Sequence, residues 1–242
     1  MPKRRSGETL PLEPDVEWRS RMRSRYLVGL SAAAAAAYIL GARPRQLRWG
    51  ATDEECEGQL PGDDLIENAD ITATRAITIR ASADQVWPWI AQLGQGRGGF
   101  YSYDFLENLV GCDIHSADRV VPEWQDVGVG DEVRFAPEVG LTVTSLEQGR
   151  SLVLHGGVPI GNTAPPYEFT WAFVLRDEPP DKTMRLLVRE RYAYKQPWAR
   201  LIVEPTEVLS FVMSHKMLRG IKKRAERPAG ADVHLAPKTS TP

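Results

Sequence analysis

Two cysteines and four histidines in 242 residues are too few for a disulfide-stapled scaffold or a histidine-rich metal site. Charge of one sign is lacking as well. Thirty Lys and Arg stand against 32 Asp and Glu, a formal charge of -2, so no concentrated basic surface points to nucleic acid. The chain also lacks a nucleophile elbow, a P-loop and an H-E-x-x-H pair. With 42% hydrophobic and 26% charged residues, what is there has the make-up of an ordinary folded protein of one main domain plus appendages.

The composition is uneven along the chain. Residues 1–25 carry Lys3, Arg4, Arg5, Arg19, Arg21, Arg23 and Arg25 with no apolar period, which predicts a disordered basic arm. Residues 26–42 then run YLVGLSAAAAAAYILGA, seventeen residues without a charge, between Arg25 and Arg43. That length meets the lower limit of a transmembrane helix, and an uncleaved anchor is expected; a soluble Ala-rich helix is the alternative. Basic residues before the span outnumber Arg43, Arg45 and Arg48 after it, so the positive-inside rule turns the following domain away from the cytoplasm. In an oxidising compartment Cys56 and Cys112 are free to pair, or they are unrelated thiols; spacing leaves both open.

Residues 43–70 are acidic and turn-rich, and Trp49, Leu60 and Leu65 predict a connector lying on the domain. The domain is expected over residues 71–227 and a disordered tail over 228–242. Residues 71–82 alternate as a half-buried strand, interrupted by Arg75 on the apolar side. Ser82 and Gln85 form a capping signature for a helix carrying Val86, Trp87, Trp89, Ile90 and Leu93 and ending at Gly94, with a kink or late start at Pro88. A second helix is expected over residues 102–110, burying Phe105, Leu106, Leu109 and Val110. Period-two segments follow at residues 132–135, 141–146, 151–155, 168–175 and 183–194. The last element is a helix over residues 206–227, with Leu209, Val212, Met213, Met217 and Ile221 on one face. Lys222, Lys223, Arg224 and Arg227 at its end suit the helix dipole, with membrane-surface contact as the alternative. This order predicts an α+β domain: a curved antiparallel sheet around a long C-terminal helix, with room for a small apolar ligand between them.

The element order, the stretch from Val86 to Gln125, the Leu60-Pro61-Gly62-Asp63 turn, the Trp87-Pro88-Trp89 helix and the Arg97-to-Tyr101 segment resemble the START/Bet v 1-like superfamily, in particular its bacterial SRPBCC, or polyketide cyclase/dehydrase-like, group. The resemblance spans about residues 50 to 227 and implies a helix-grip fold with a hydrophobic pocket. It implies no universal catalytic set, because one scaffold serves lipid carriers, hormone-binding proteins and cyclases.

Gly94, Gly96 and Gly99 satisfy G-x-G-x-x-G but follow a helix rather than a strand, so they predict a tight reversal and not a dinucleotide site. Arg97 projects from that reversal toward a ligand carbonyl or carboxylate, or toward Asp104 or Glu107. Asp113, His115 and Asp118 cluster within six residues; His115 is a candidate general base or a loop partner of its acidic neighbours, and no metal is expected. Tyr101, Tyr103, Glu107 and Asn108 are candidate ligand contacts, Tyr103 and Glu107 sharing one helical face. Glu190 falls on the strand face of Met184, Leu186, Val188 and Tyr192, which puts a carboxyl on the apolar side of the sheet, paired with an Arg or available to a ligand or to catalysis. The expected function is membrane-tethered binding of a small lipid or polyketide-like molecule without a cofactor. The alternatives are a cyclase/dehydrase-type enzyme using Glu190 or His115, and a tethered interaction module with a dry core.

Overall fold

The computed structural model describes residues 36–109, 111–159, 163–179 and 183–228. The basic arm, residues 26–35 of the expected anchor, Val110 and the tail beyond residue 228 lie outside them. Two compact units divide between Arg45 and Gln46. In the first, a π-helical turn covers Tyr38–Ala42, and helix α1 begins at its end (Arg43–Leu47). No helix among the described residues is long and apolar enough to cross a membrane.

The second unit is built on six antiparallel strands: β1 (Ile71–Ile79), β2 (Glu132–Ala136), β3 (Val139–Glu147), β4 (Ser151–Gly156), β5 (Tyr167–Glu178) and β6 (Thr183–Tyr194). Their order is β1-β6-β5-β4-β3-β2, so the first strand pairs with the last. The alternation read from the sequence is realised on β5 and β6, which pair over twelve positions. Tyr167, Phe169, Trp171 and Phe173 of β5 and Leu186, Val188, Glu190 and Tyr192 of β6 are buried in the alternating positions that make the inner face. Register shifts at Arg134/Ala136 and at Val143/Ser145 bend the sheet. The long helix α5 (Arg200–Ala225) packs on β1 and on α3 (Ala83–Ala91), completing the helix-grip arrangement.

Three outward arginines of β6 fasten the connector to the opposite face. Arg185 donates to both oxygens of Glu55 (2.7 and 2.8 Å), Arg189 to Asp63 (2.5 Å), and Arg191 to the carbonyl of Ile66 (2.7 Å). Helix α2 (Asp53–Glu57), capped by Thr52, is thereby held to β6, and buried Leu60 packs with Ala76, Val174 and Leu187. Cys56 and Cys112 are both free thiols.

Four expectations need correction. Helix α3 starts at Ala83, with Gln85 Oε1 accepting from the Ser82 amide (3.0 Å), and Pro88 sits inside it instead of delaying it. The helix stops at Ala91 rather than Gly94, three residues past the proline, where its last turn tightens. The second short helix, α4, covers only Asp104–Leu109, and its apolar stripe is not buried: Phe105 is 69% and Leu109 81% exposed. Period alone predicted a partner for that face, and among the described residues none covers it. Helix α5 begins six residues earlier than expected, and two residues of its expected buried face, Leu209 and Val212, are exposed, Leu209 at the cavity described below.

Candidate functional site

Between α5 and the bent edge of the sheet lies an apolar cavity of about 530 Å³. One wall is aromatic. The register shift on β2 brings Phe135 beside Trp171 of β5 (ring centroids 5.6 Å) and Phe100 (5.5 Å), and Val139 and Val158 extend the surface. The opposite wall is one face of α5, with Thr206, Leu209, Ser210, Met213, Ser214 and Met217 at helical spacing. Ser102, Leu106 and Glu107 at α4, with Cys112 and Ile114 after it, form the third side.

The loop that carries this third side is held by polar contacts. Gly94 and Gly99 exchange backbone hydrogen bonds (3.1 and 3.0 Å), which is the reversal expected of the glycine motif. Gly99 has φ +68°, and a Cβ there would stand 2.9 Å from the carbonyl oxygen of His115, so a side chain is excluded on both grounds. Asn108 donates to and accepts from the backbone of Ile114 (2.8 and 2.6 Å). Asp104 receives the amide and hydroxyl of Ser116 (2.7 and 2.6 Å).

Glu107 is the polar group that this construction leaves facing the cavity. Its Oε1 accepts from the Ser102 hydroxyl (2.6 Å), while Oε2 is buried with no partner among the described residues. Burial pushes its carboxyl above the ordinary range, opposed by the Ser102 hydrogen bond and reinforced by Asp104. The native state therefore holds this proton more tightly than the unfolded chain. The resulting stability is complete below the unfolded value, about 4.3, and is lost as pH rises through the folded one. The stability of the wild type relative to Glu107→Gln is expected to fall with rising pH across that window. Urea midpoints of the two proteins over a pH series check the sign; a difference that rises with pH contradicts it.

Behind the serine wall sits a buried charge cluster. Arg75, Glu190 and Glu207 are each at most 1% exposed. Arg75 Nη1 donates to Glu190 Oε1 (2.8 Å) and Nη2 to Glu207 Oε1 (2.5 Å), while Gln46 Nε2 donates to Glu207 Oε2. Glu190 further accepts from Tyr192 (3.2 Å), Ser214 (2.9 Å) and Ser210, whose hydroxyl is 2.8 Å from both carboxylate oxygens. The Tyr192 phenol is held protonated, first by burial and then by the Glu190 charge. Glu190 thus belongs to an ion-paired network with Arg75, and it reaches the cavity only through Ser210 and Ser214.

The other sequence candidates lie elsewhere. The His115 side chain is 81% exposed, its Nε2 3.2 Å from Asp113, and it does not line the cavity, which removes it from reach of a ligand there. Arg97 pairs with neither Asp104 nor Glu107; its Nη2 donates to the carbonyls of Ala91 (3.1 Å) and Trp124, tying the end of α3 to the turn at Pro122–Trp124. Tyr101 turns away from the cavity: its hydroxyl donates to the Trp89 carbonyl (3.0 Å) and its ring lies under Arg224 (4.8 Å). Its own backbone is left-handed (φ 56°), and the backbone of Gly220 on α5 lies against it at a distance that a Cβ would not permit. Tyr103 stacks under Lys216 on an outer groove, so it does not share a pocket with Glu107. Asp118 pairs with Arg224 (3.0 Å), and Lys222 donates to the Thr78 carbonyl (2.6 Å), so these basic residues fasten the end of α5 to the domain. Ser210, Ser214 and Trp171 were not foreseen. For the two serines the signal was a run of hydroxyl residues four apart, Thr206, Ser210 and Ser214, on a helix face shared with Leu209, Met213 and Met217.

No protein-family model and no curated protein sequence matches the chain. Among solved structures, norcoclaurine synthase from Thalictrum flavum is similar over 63% of this chain and 84% of its own, at 15% identity and a TM-score of 0.38. CalU16 from Micromonospora echinospora is similar over 64% of this chain and 83% of its own, at 14% identity and a TM-score of 0.32. Protein MLL2253 from Mesorhizobium loti is similar over 63% of this chain and 98% of its own, at 12% identity and a TM-score of 0.38.

Proposed function

We propose that the chain binds a small, largely apolar molecule in the cavity under α5. The observation that carries the reading is the coexistence of an aromatic wall, a helix face of Leu, Met and Ser, and one carboxyl oxygen without a partner among the described residues around about 530 Å³. A volume of that size suits a ligand of a few fused rings or a medium acyl chain, with Glu107 fixing its orientation. Lipid-like and polyketide-like molecules both fit this description, and residues 26–42 are proposed to tether the domain to a membrane.

A second reading is favoured by the same carboxyl. A glutamate with a raised pKa in an apolar pocket is suited to hand a proton to a ligand carbonyl, so a cyclase/dehydrase-type reaction would centre on Glu107 rather than on His115 or Glu190. Native mass spectrometry of the full chain from its own host, followed by identification of released molecules, tests the binding. A stoichiometric apolar ligand supports it, and a clean apo mass with no uptake from a panel of fused-ring and acyl compounds overturns it in favour of a dry-core module. With the ligand in hand, loss of turnover but not of binding in Glu107→Gln separates the enzyme from the carrier.

A further inference from the structure

We infer that the cavity selects ligands that donate hydrogen bonds, hydroxyl- or amino-bearing aromatic molecules, over ethers and carbonyl compounds of the same shape; this rests on the cavity being the binding site. A serine or threonine hydroxyl has one hydrogen to give and two lone pairs to receive with. Four hydroxyls line the cavity, and each has its hydrogen committed within the protein. Ser102 donates to Glu107 (2.6 Å), Thr206 to the Ile202 carbonyl (2.8 Å), and Ser210 and Ser214 to Glu190 (2.8 and 2.9 Å). The direction is fixed for the two serines on α5, because Glu190 is a carboxylate held by Arg75 and can only accept.

When ionised, Glu107 adds a fifth acceptor, its Oε2, which has no partner among the described residues. Against these, the wall offers one strong donor, the indole N–H of Trp171, which is buried and unpartnered among the described residues. The two kinds of group stand on different walls, Trp171 on the sheet and the serines on α5. A planar aromatic body against Phe100, Phe135 and Trp171, with a hydroxyl or amine directed at α5 and Glu107, brings its donor to the wall that holds the acceptors. An ether oxygen or carbonyl aimed at Ser210 and Ser214 would face only lone pairs, and both it and the protein acceptors would be desolvated without compensation.

The buried Arg75–Glu190 pair thereby acquires a role at the cavity. It orients Ser210 and Ser214, so these are positioned contact groups and Glu190 a positioning residue.

The test is calorimetric titration of the full chain at neutral pH with naphthalene, 2-naphthol and 2-methoxynaphthalene, three probes that share one fused-ring body. The naphthol is expected to bind about tenfold tighter than the methyl ether. In Glu107→Gln, where an amide N–H₂ replaces an acceptor, and in Ser210→Ala, the preference is expected to narrow several-fold while naphthalene itself still binds. Equal or tighter binding of the methyl ether to the wild type overturns the inference, as does a preference unchanged in both variants. If none of the three binds, the cavity reading fails and the inference falls with it.

Discussion

The Arg75→Met chain is expected to lose about 3–5 kcal/mol of stability, a large share of the roughly 5–15 kcal/mol typical of a domain. The guanidinium is fully buried and is the group that both Glu190 and Glu207 share. Its removal leaves two carboxyls facing each other away from water, and methionine, although it fills much of the same volume, supplies neither charge nor donor. The cause is separable from packing. If uncompensated charge is responsible, adding Glu190→Gln and Glu207→Gln to Arg75→Met returns part of the loss, whereas a packing defect would only deepen with each change. Urea denaturation of the three proteins decides it, and an Arg75→Met variant within about 1 kcal/mol of wild type would contradict the description of the cluster.

Filling the cavity gives the second large effect. Val139 and Met213 line it from the sheet and from α5, and the double variant Val139→Trp, Met213→Trp places two indoles in the space a ligand would use. Uptake of 2-naphthol is expected to fall by about tenfold or more. Stability should change by only about 1 kcal/mol, because the new rings enter empty volume instead of displacing packed atoms. Undiminished uptake would move the binding elsewhere, for example to the outer groove lined by Tyr103, Lys216, Arg219 and Lys223. The two variants act on different properties: one removes the charge network behind the cavity wall, the other occupies the cavity itself.

Much of the framework is readable from residue order because strand and helix periods report burial one face at a time. The alternation of Met184, Leu186, Val188, Glu190 and Tyr192 placed a carboxyl on the inner face, and Arg75 stood out on the apolar side of its strand. That the two meet was not readable. Their pairing depends on β1 lying beside β6, with Ala73 opposite Glu190, a register between segments more than a hundred residues apart. Glu207 was hidden for a related reason: the expected helix began at residue 206, whereas the observed one begins at Arg200 and places Glu207 in its interior.

The cavity itself leaves little trace in the sequence, since a helix face over empty space has the same period as a helix face over packed side chains. Leu209 and Met213 have the pattern of core residues yet border a void, and Phe105 and Leu109 keep a helical period while standing in solvent. Arg97, Tyr101 and Asn108 were plausible ligand contacts by type. Their partners turned out to be backbone carbonyls of α3 for Arg97 and Tyr101 and the backbone of Ile114 for Asn108, a choice that residue type does not reveal.

Five methionines make the cavity directly observable. Met213 and Met217 line it, Met184 is buried elsewhere on the inner face, and Met1 and Met22 lie in the N-terminal arm. The most direct measurement is a titration of the full chain, carrying ¹³C-methyl methionine, with 2-naphthol. The account predicts saturable shifts of the Met213 and Met217 methyl signals while Met1 and Met22 stay in place. Saturable binding by calorimetry with both of those signals unmoved would contradict it.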